Sequence, residues 1–358
     1  MAEHVLVINL GSSSLKAAVV DSTGAAVWQG NRKRRPEESI SAVLDHWLAP
    51  ELDHHRQHIQ RIGHRVVHGG EHFTATTLIT ADLVEQLQAL IPLAPLHNPP
   101  ALAGVTWAQR WAPDLPQWIC FDTAFHSTLP EAARTYALPK DLRQQGLRRY
   151  GFHGINHQHV AEQVSKHWRQ QGRDPSQLRL ISAHLGAGAS LAAVKGGECI
   201  DTTMGFTPLE GLVMETRSGS IDPGLILELI RQGYSEADLS GVLQSESGMK
   251  GLSGLSGDML EIRHAARSNH PGASLALCVY RHRLLQQVGA MAASLKGLDV
   301  LALTGGIGEH DQDLRNELNE ALGWLAPFEL VVITADEEGM IARLCQRQGD
   351  AGRLSPVG

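Results

Sequence analysis

Apolar residues fill positions 5–8 and, but for Lys16, 15–20 on either side of Gly11-Ser12-Ser13-Ser14, and the same arrangement returns about half a chain later, at 180–194, around Gly186-Ala187-Gly188. Each copy reads as two strands joined by a small-residue tip, a β-hairpin. In register, Leu10-Gly11 falls on Leu185-Gly186, and Ala17-Ala18-Val19 on Ala192-Ala193-Val194. A repeat this far apart predicts two similar domains rather than a short-period solenoid. Further strands are predicted at 62–67, 118–121, 300–303 and 330–333. Helical periodicity predicts helices at 81–90 (capped by Thr80), 100–111, 157–170, 223–231, 258–267, 273–295 and 311–324. Strands alternating with helices after an opening hairpin make an α/β architecture.

Length fits this division, since 358 residues suit about two domains, each with its own core. With 42% hydrophobic and 19% charged residues, disorder and coiled coil are excluded. The net charge of -7 argues against a protein that holds nucleic acid through its overall field. The one dense basic run, Arg32-Lys33-Arg34-Arg35, reads as a solvated turn. Four cysteines, Cys120, Cys199, Cys278 and Cys345, form no C-x-x-C pair, so neither a disulfide framework nor a cysteine zinc site is expected. The start of the chain lacks the charged and apolar regions of a secretion signal, and no segment approaches the length of a membrane span. The expectation is a cytoplasmic protein with no membrane partner.

The candidate chemistry lies in small-residue turns and in charged groups set among apolar ones. The tips Gly11–Ser14 (with Lys16) and 186–190 let backbone N–H groups approach an anion, although any hairpin favours glycine at its turn. No Walker-type or dinucleotide glycine motif is present. Thr304-Gly305-Gly306-Ile307-Gly308-Glu309 follows a predicted strand and precedes a helix, a place for an adenosine or its phosphates. A fourth turn, 251–257, precedes Asp258 and reads as a loop. Arg65 lies in a predicted strand and Arg217 in a loop. Such arginines usually pair with a carboxylate, yet a guanidinium also suits carboxylate and phosphoryl oxygens. Asp122 ends a strand, where α/β sheets present catalytic carboxylates, and His153 is crowded by Tyr150, Gly151, Phe152 and Gly154. His54, His55 and His58 lie in a polar stretch, where a metal site on a helix would need a further ligand.

Taken together, the segments VLVINLGSSSLK, IGHRVVHGGE, APLHNPP, CFDTAFHSTLP, RYGFHGINH, HLGAGASL, DTTMGFTPLEGLVMETRSGSIDP, LSGLSGDM and LTGGIGE resemble the acetate kinase family. That family belongs to the superfamily of sugar kinases, heat-shock chaperones and actin. The resemblance spans residues 5–310 and implies a duplicated actin-like (ribonuclease H-like) two-domain fold with an interdomain active-site cleft. The first domain is expected at 1–123, completed by a C-terminal helix at 340–358. The second, at 124–339, would carry nucleotide binding and dimerisation, with the long apolar helix at 273–295 a candidate for the dimer contact.

The same resemblance implies the site. Arg65 and Arg217 would orient acetate and the transferring phosphoryl group, His153 would donate to the transition state, and Asp122 would support substrate position. Val67, Leu96, His97, Phe152 and Pro208 would form the substrate pocket. Ser12, Ser14, Lys16, His184, Gly186, Gly188, Asp258, Gly306, Ile307 and Gly308 would hold the nucleotide and its phosphates, and Asn9 with Glu337 (or Glu338) would serve Mg²⁺. The implied reaction is reversible in-line transfer of the ATP γ-phosphoryl group to acetate in a homodimer. Acetate is already ionised near neutral pH, so the step needs charge neutralisation rather than a strong base. Departures from the family pattern stand at Ala187, Glu215, Ser220, Leu260 and His310. They motivate two alternatives: a kinase for propionate or butyrate or with another phosphoryl donor, and a catalytically weak nucleotide-binding regulatory homologue.

Overall fold

Alternation along the first apolar run builds the first sheet. In the computed structural model, which describes residues 3–11, 14–35, 38–94 and 98–353, β1 (His4–Leu10) pairs antiparallel with β2 (Ser14–Val20), Val5 facing Val20 and Leu10 facing Leu15. β3 (Ala26–Lys33) continues the meander on the far side of β2. β4 (Ile59–Val66) and β6 (Gln117–Phe121) add in parallel beside β1, and the two-residue β5 (Thr77–Leu78) closes the edge, giving the order β3-β2-β1-β4-β6-β5. Because successive side chains point to opposite faces, Leu6, Ile8 and Leu10 join one apolar cluster and Val5 and Val7 another. Helix Asn98–Trp111 covers the first face through Trp107 and Ala108. Helix Glu337–Arg353 covers the second through Met340, Ile341 and Cys345. A Cβ at Gly63 on β4 would stand 2.7 Å from Ile341 and 2.8 Å from Cys345, so glycine is what lets this helix lie against the strand.

The second sheet repeats the first. β7 (Arg179–Leu185) and β8 (Ala189–Lys195) form the second hairpin, β9 (Glu198–Thr202) extends it, and β10 (Val300–Thr304) and β11 (Glu329–Val332) add in parallel, in the order β11-β10-β7-β8-β9. The duplicated topology foreseen from the two apolar repeats is therefore present in both sheets. Three antiparallel strands followed by two parallel ones make each an actin-like, ribonuclease H-like sheet. The two compact units are the chain through Phe125 with His153–His159 and the residues from Asp336, and His126–Phe152 with Val160–Ala335.

Several expected elements shift. Arg32 and Lys33 end β3 rather than lying in a turn, and Glu38 neutralises the run by pairing with Arg32 at 3.0 Å and accepting from the Arg35 N–H at 2.9 Å. The expected loop at 251–257 begins as helix Gly248–Ser253, stopped by Gly254 in the left-handed region. The glycine-rich segment after β10 is itself a short helix, Gly305–His310, and the next helix, Gln312–Ala321, is capped by Asp311. The apolar helix Pro271–Leu295 buries Tyr280, Leu284, Val288, Met291 and Leu295 as core of its own unit. No helix among the described residues is long and apolar enough to cross a membrane.

Candidate active site

In the first unit, four strand and helix ends deliver side chains to one place. Asn9 lies near the end of β1, Arg65 near the end of β4, Asp122 one residue past β6, and Glu337 and Glu338 open the C-terminal helix. Ends of parallel strands are where open α/β sheets bind ligands, because the side chains there have no continuing strand to cover them. Arg65 donates to Asp122 Oδ2 from Nε at 3.1 Å and Nη2 at 2.5 Å, and from Nη1 to Asn9 Oδ1 at 3.1 Å. The Asn9 amide then donates to Glu337 at 3.2 Å and to Glu338 at 2.9 Å. Asp122 is buried, and burial holds its carboxyl above the ordinary carboxylate range against the opposing pull of the Arg65 guanidinium. Burial works against the Arg65 charge too. Asp122 first, then Glu337, outweigh it and hold the guanidinium above its ordinary pKa.

One oxygen of this cluster is left over. Asp122 Oδ1 is buried and has no hydrogen-bond partner among the described residues. A buried acceptor without a donor costs on the order of 1–3 kcal/mol, and sites that receive a ligand are a usual exception to the rule of satisfaction. The backbone of Asp122 is fixed from both sides, its N–H on Val66 O at 3.1 Å and its carbonyl accepting from Gly154 N at 2.9 Å. His153, just before Gly154, holds φ 56, a left-handed conformation uncommon for any side chain but glycine. Its carbonyl accepts from His157 N at 2.9 Å as helix Gly154–Gln170 begins.

Magnesium accepts one or two protein carboxylates and takes its remaining oxygens from phosphates and water. Glu337 and Glu338, both half-buried around the Asn9 amide, are oxygen donors of that kind. Among the described residues no set of three His, Cys, Asp or Glu side chains forms a dedicated metal cage. Lys16, opposite Asn9 in the β1–β2 register, is exposed, and Ser14 is half-buried at the start of β2. Val67, one residue past β4, is buried. Ser12, Leu96 and His97 lie outside the described residues.

The second unit presents its own set. Arg217 Nη1 donates to Pro208 O at 3.2 Å and lies 3.9 Å from Met214 Sδ. No carboxylate among the described residues pairs with it, and burial alone pulls its pKa down. A half-buried guanidinium without a counter-charge is a ready anion receptor. The second hairpin tip is tight, with Gly186 N donating to Gly188 O at 3.0 Å, and His184 at the end of β7 faces Ser190 across the hairpin. Gly306 lies in the first turn of helix Gly305–His310, where a Cβ would meet nothing within 4 Å, so the backbone is open to approach. Gly308 is buried in the same helix and Ile307 half-buried. Gly305 is the residue the turn requires: it holds φ 79 and a Cβ there would come 2.8 Å from Leu185 O. Glu309 pins the segment by accepting from Gly305 N at 3.0 Å and Ala335 N at 2.9 Å. Asp258 caps helix Met259–Arg267 by accepting from Glu261 N at 2.9 Å. Phe152 is buried, its carbonyl 2.9 Å from Nε2 of the buried His126.

Sequence reasoning missed the Arg149–Glu210–Tyr136 cluster described below. Glu210 stands inside a recognised segment, but nothing in its spacing points to Arg149, 61 residues earlier.

Known proteins agree with this picture. The Acetokinase family model matches residues 29–341. The acetate kinase of Synechococcus sp. (strain JA-2-3B'a(2-13)) is 41% identical over 403 residues, covering 96% of this chain and 98% of that protein. The crystal structure of Porphyromonas gingivalis acetate kinase superposes with a TM-score of 0.86 at 34% identity, over 95% of this chain and 98% of that one. That of a propionate kinase from Francisella tularensis gives 0.88 at 35%, over 96% and 98%. The duplicated sheets, the strand-end array around Arg65 and likeness over nearly the whole length lead to one conclusion: the chain belongs to the acetokinase family.

Proposed function

We propose that the protein is an acetate kinase, transferring the γ-phosphoryl group of ATP reversibly to acetate to give acetyl phosphate and ADP. The observation that carries this reading is the Arg65 array: a guanidinium fixed by Asp122 and Asn9 beside a buried carboxylate oxygen that lacks a donor. Arg65 binds the acetate carboxylate, with Val67 against its methyl group. Asp122 holds Arg65 in orientation. Arg217 takes phosphoryl oxygens, and His153 donates to the charge that develops on them. The backbone of the two hairpin tips, with Ser14, Lys16 and His184, holds the nucleotide phosphates, while the open turn at Gly306 admits the adenosine. Mg²⁺, held by Glu337 or Glu338 beside Asn9, supplies charge neutralisation to the phosphates when bound with ATP. Because acetate arrives ionised, catalysis consists of positioning and charge stabilisation, and no general base is required.

Three of the five departures have a local account. Ala187 is exposed and its carbonyl accepts from Glu215 N at 3.1 Å, so the second tip is tied through backbone rather than through a side-chain amide. Ser220 Oγ accepts from Gly211 N at 3.0 Å, and Leu260 is exposed on its helix. The likeness to the propionate kinase supports a second substrate. One methylene in an apolar pocket is worth only about 1–3 kcal/mol, so propionate is expected as the slower acid. The apolar side chains exposed on helix Pro223–Arg231 support a homodimer. The test is a hydroxylamine-trapping assay with ATP and Mg²⁺ against acetate, propionate and butyrate. Acyl hydroxamate, greatest with acetate, is the expected product; none from any acid would overturn the reading.

A further inference from the structure

Among the described residues Arg217 has no ion-pair partner to aim it, so its direction comes from the loop that supplies its acceptors, Pro208 O and Met214 Sδ. That loop, between β9 and helix Pro223–Arg231, contains Pro208, whose carbonyl takes Arg217 Nη1 at 3.2 Å. Two residues on, Glu210 is gripped from two directions. Arg149 Nη2 donates to Glu210 Oε1 at 2.6 Å, and the Tyr136 hydroxyl donates to Oε2 at 2.5 Å. The same Arg149 donates from Nη1 to the carbonyls of Thr202, Thr203 and Met204 at 3.0–3.1 Å. Tyr136 also accepts from Phe206 N at 3.0 Å. Tyr150 N donates to Gly205 O at 3.0 Å, joining the loop to the segment three residues before His153. Gly205 sits under the carboxylate and the phenol, and a Cβ there would collide with both Glu210 and Tyr136.

We propose that Glu210, clamped by Arg149 and Tyr136, is a positioning residue that fixes the Pro208 carbonyl and through it the Arg217 guanidinium. This inference rests on the function assigned above and deepens it. The loop has no helix or strand of its own between Thr203 and Ser220. Backbone bonds such as Met214 N to Arg217 O at 3.2 Å and Ser218 N to Leu243 O at 3.0 Å hold the Arg217 stretch, and the stretch from Pro208 to Glu210 is anchored through the Glu210 side chain. The clamp is strong for three reasons: one Glu210 oxygen is paired with a charged donor, the other with a phenol, and Arg149 crosses the Tyr136 ring at 5.7 Å. Burial and the adjacent carboxylate push the Tyr136 hydroxyl up to about 12, which keeps its proton available for Glu210. A loop packed only for stability would not need its anchor two residues from the one oxygen that, among the described residues, accepts from the Arg217 guanidinium.

The test is a set of variants in the full-length protein: Glu210→Gln, Tyr136→Phe, Gly205→Ala, Arg217→Ala and the Arg217→Ala/Glu210→Gln pair, each checked for cooperative thermal unfolding. Glu210→Gln is expected to lower kcat roughly 10- to 100-fold, the scale on which a misplacement of about 1 Å acts, with KM for ATP unchanged. Tyr136→Phe and Gly205→Ala should fall in the same direction. The double variant should be no slower than Arg217→Ala alone, since a group acting through Arg217 has nothing left to position. A folded Glu210→Gln enzyme with wild-type kcat, or a double variant slowed by the full product of the single effects, overturns the inference. If Glu210→Gln does not fold, Tyr136→Phe, which keeps the Arg149 ion pair, carries the same comparison with Arg217→Ala. A wild-type rate in Arg217→Ala would remove Arg217 from the mechanism and this inference with it, whereas no hydroxamate from the wild-type protein would overturn the functional reading itself, which separates the two failures.

Discussion

Removing the Arg65 guanidinium leaves the Asp122 carboxylate buried with one oxygen already without a donor and the other stripped of both its bonds. Breaking one side of a buried ion pair costs about 3–5 kcal/mol, mostly the penalty of the stranded charge. Arg65→Ala should therefore lose stability on that scale as well as activity. Arg65→Ala/Asp122→Asn should recover much of the stability, because an amide tolerates burial better than a carboxylate, and recover none of the activity. Urea titrations of the two variants beside the hydroxamate assay separate these effects. Equal stability in both would mean that Asp122 is not the charge Arg65 neutralises.

Elements differ in how far their own sequence announces them. The two hairpins were legible because alternation and small-residue tips act over a few residues, and their shared spacing revealed the duplication. Asp122 was legible as a strand-end residue and Arg65 as a charged residue within a strand, whose end the structure puts just past it. The bridge from Asn9 to Glu337 joins positions 328 apart, and no periodicity encodes it; only the resemblance suggested Glu337, and the structure brings Glu338 to Asn9 as well. The Tyr136–Glu210 contact escaped for the same reason. Helix Pro271–Leu295 puts Tyr280, Leu284, Val288, Met291 and Leu295 into the core of its own unit while Leu275 stays exposed, so apolar length by itself does not distinguish core from interface. Helix Pro223–Arg231 buries none of its residues, and Leu225 (47%), Leu227 (61%) and Ile230 (52%) stay exposed. Leu227 and Ile230, three residues apart, share one side of this helix, with Leu225 turned to another. Under the homodimer proposal, Leu227→Glu should convert the dimer to a monomer in sedimentation velocity. A dimer that survives the substitution places the contact on another element.

Across the whole molecule, each unit holds a buried histidine that cannot readily take a proton. His64, with Nε2 2.9 Å from Gln117 Oε1, is lowered from 6.5 to about 4 by burial, and His126, beside Phe152 O, is lowered likewise to about 4. For a base depressed in the folded state, the unfolded chain binds more protons at any pH between the two values, so stability rises with pH in that window. The contribution is complete above about 6.5 and is lost progressively as pH falls toward 4. Each pKa unit corresponds to about 1.4 kcal/mol, so by pH 5 each histidine should withdraw on the order of 1–2 kcal/mol. Urea midpoints measured at pH 7, 6 and 5 should fall steadily. His64→Gln, which keeps a donor for Gln117 and cannot titrate, should flatten the slope by about one histidine's share while leaving His126 to act. An unchanged slope in that variant would show that His64 takes its proton without unfolding the sheet around it, and the acid sensitivity would then have to come from elsewhere in the fold.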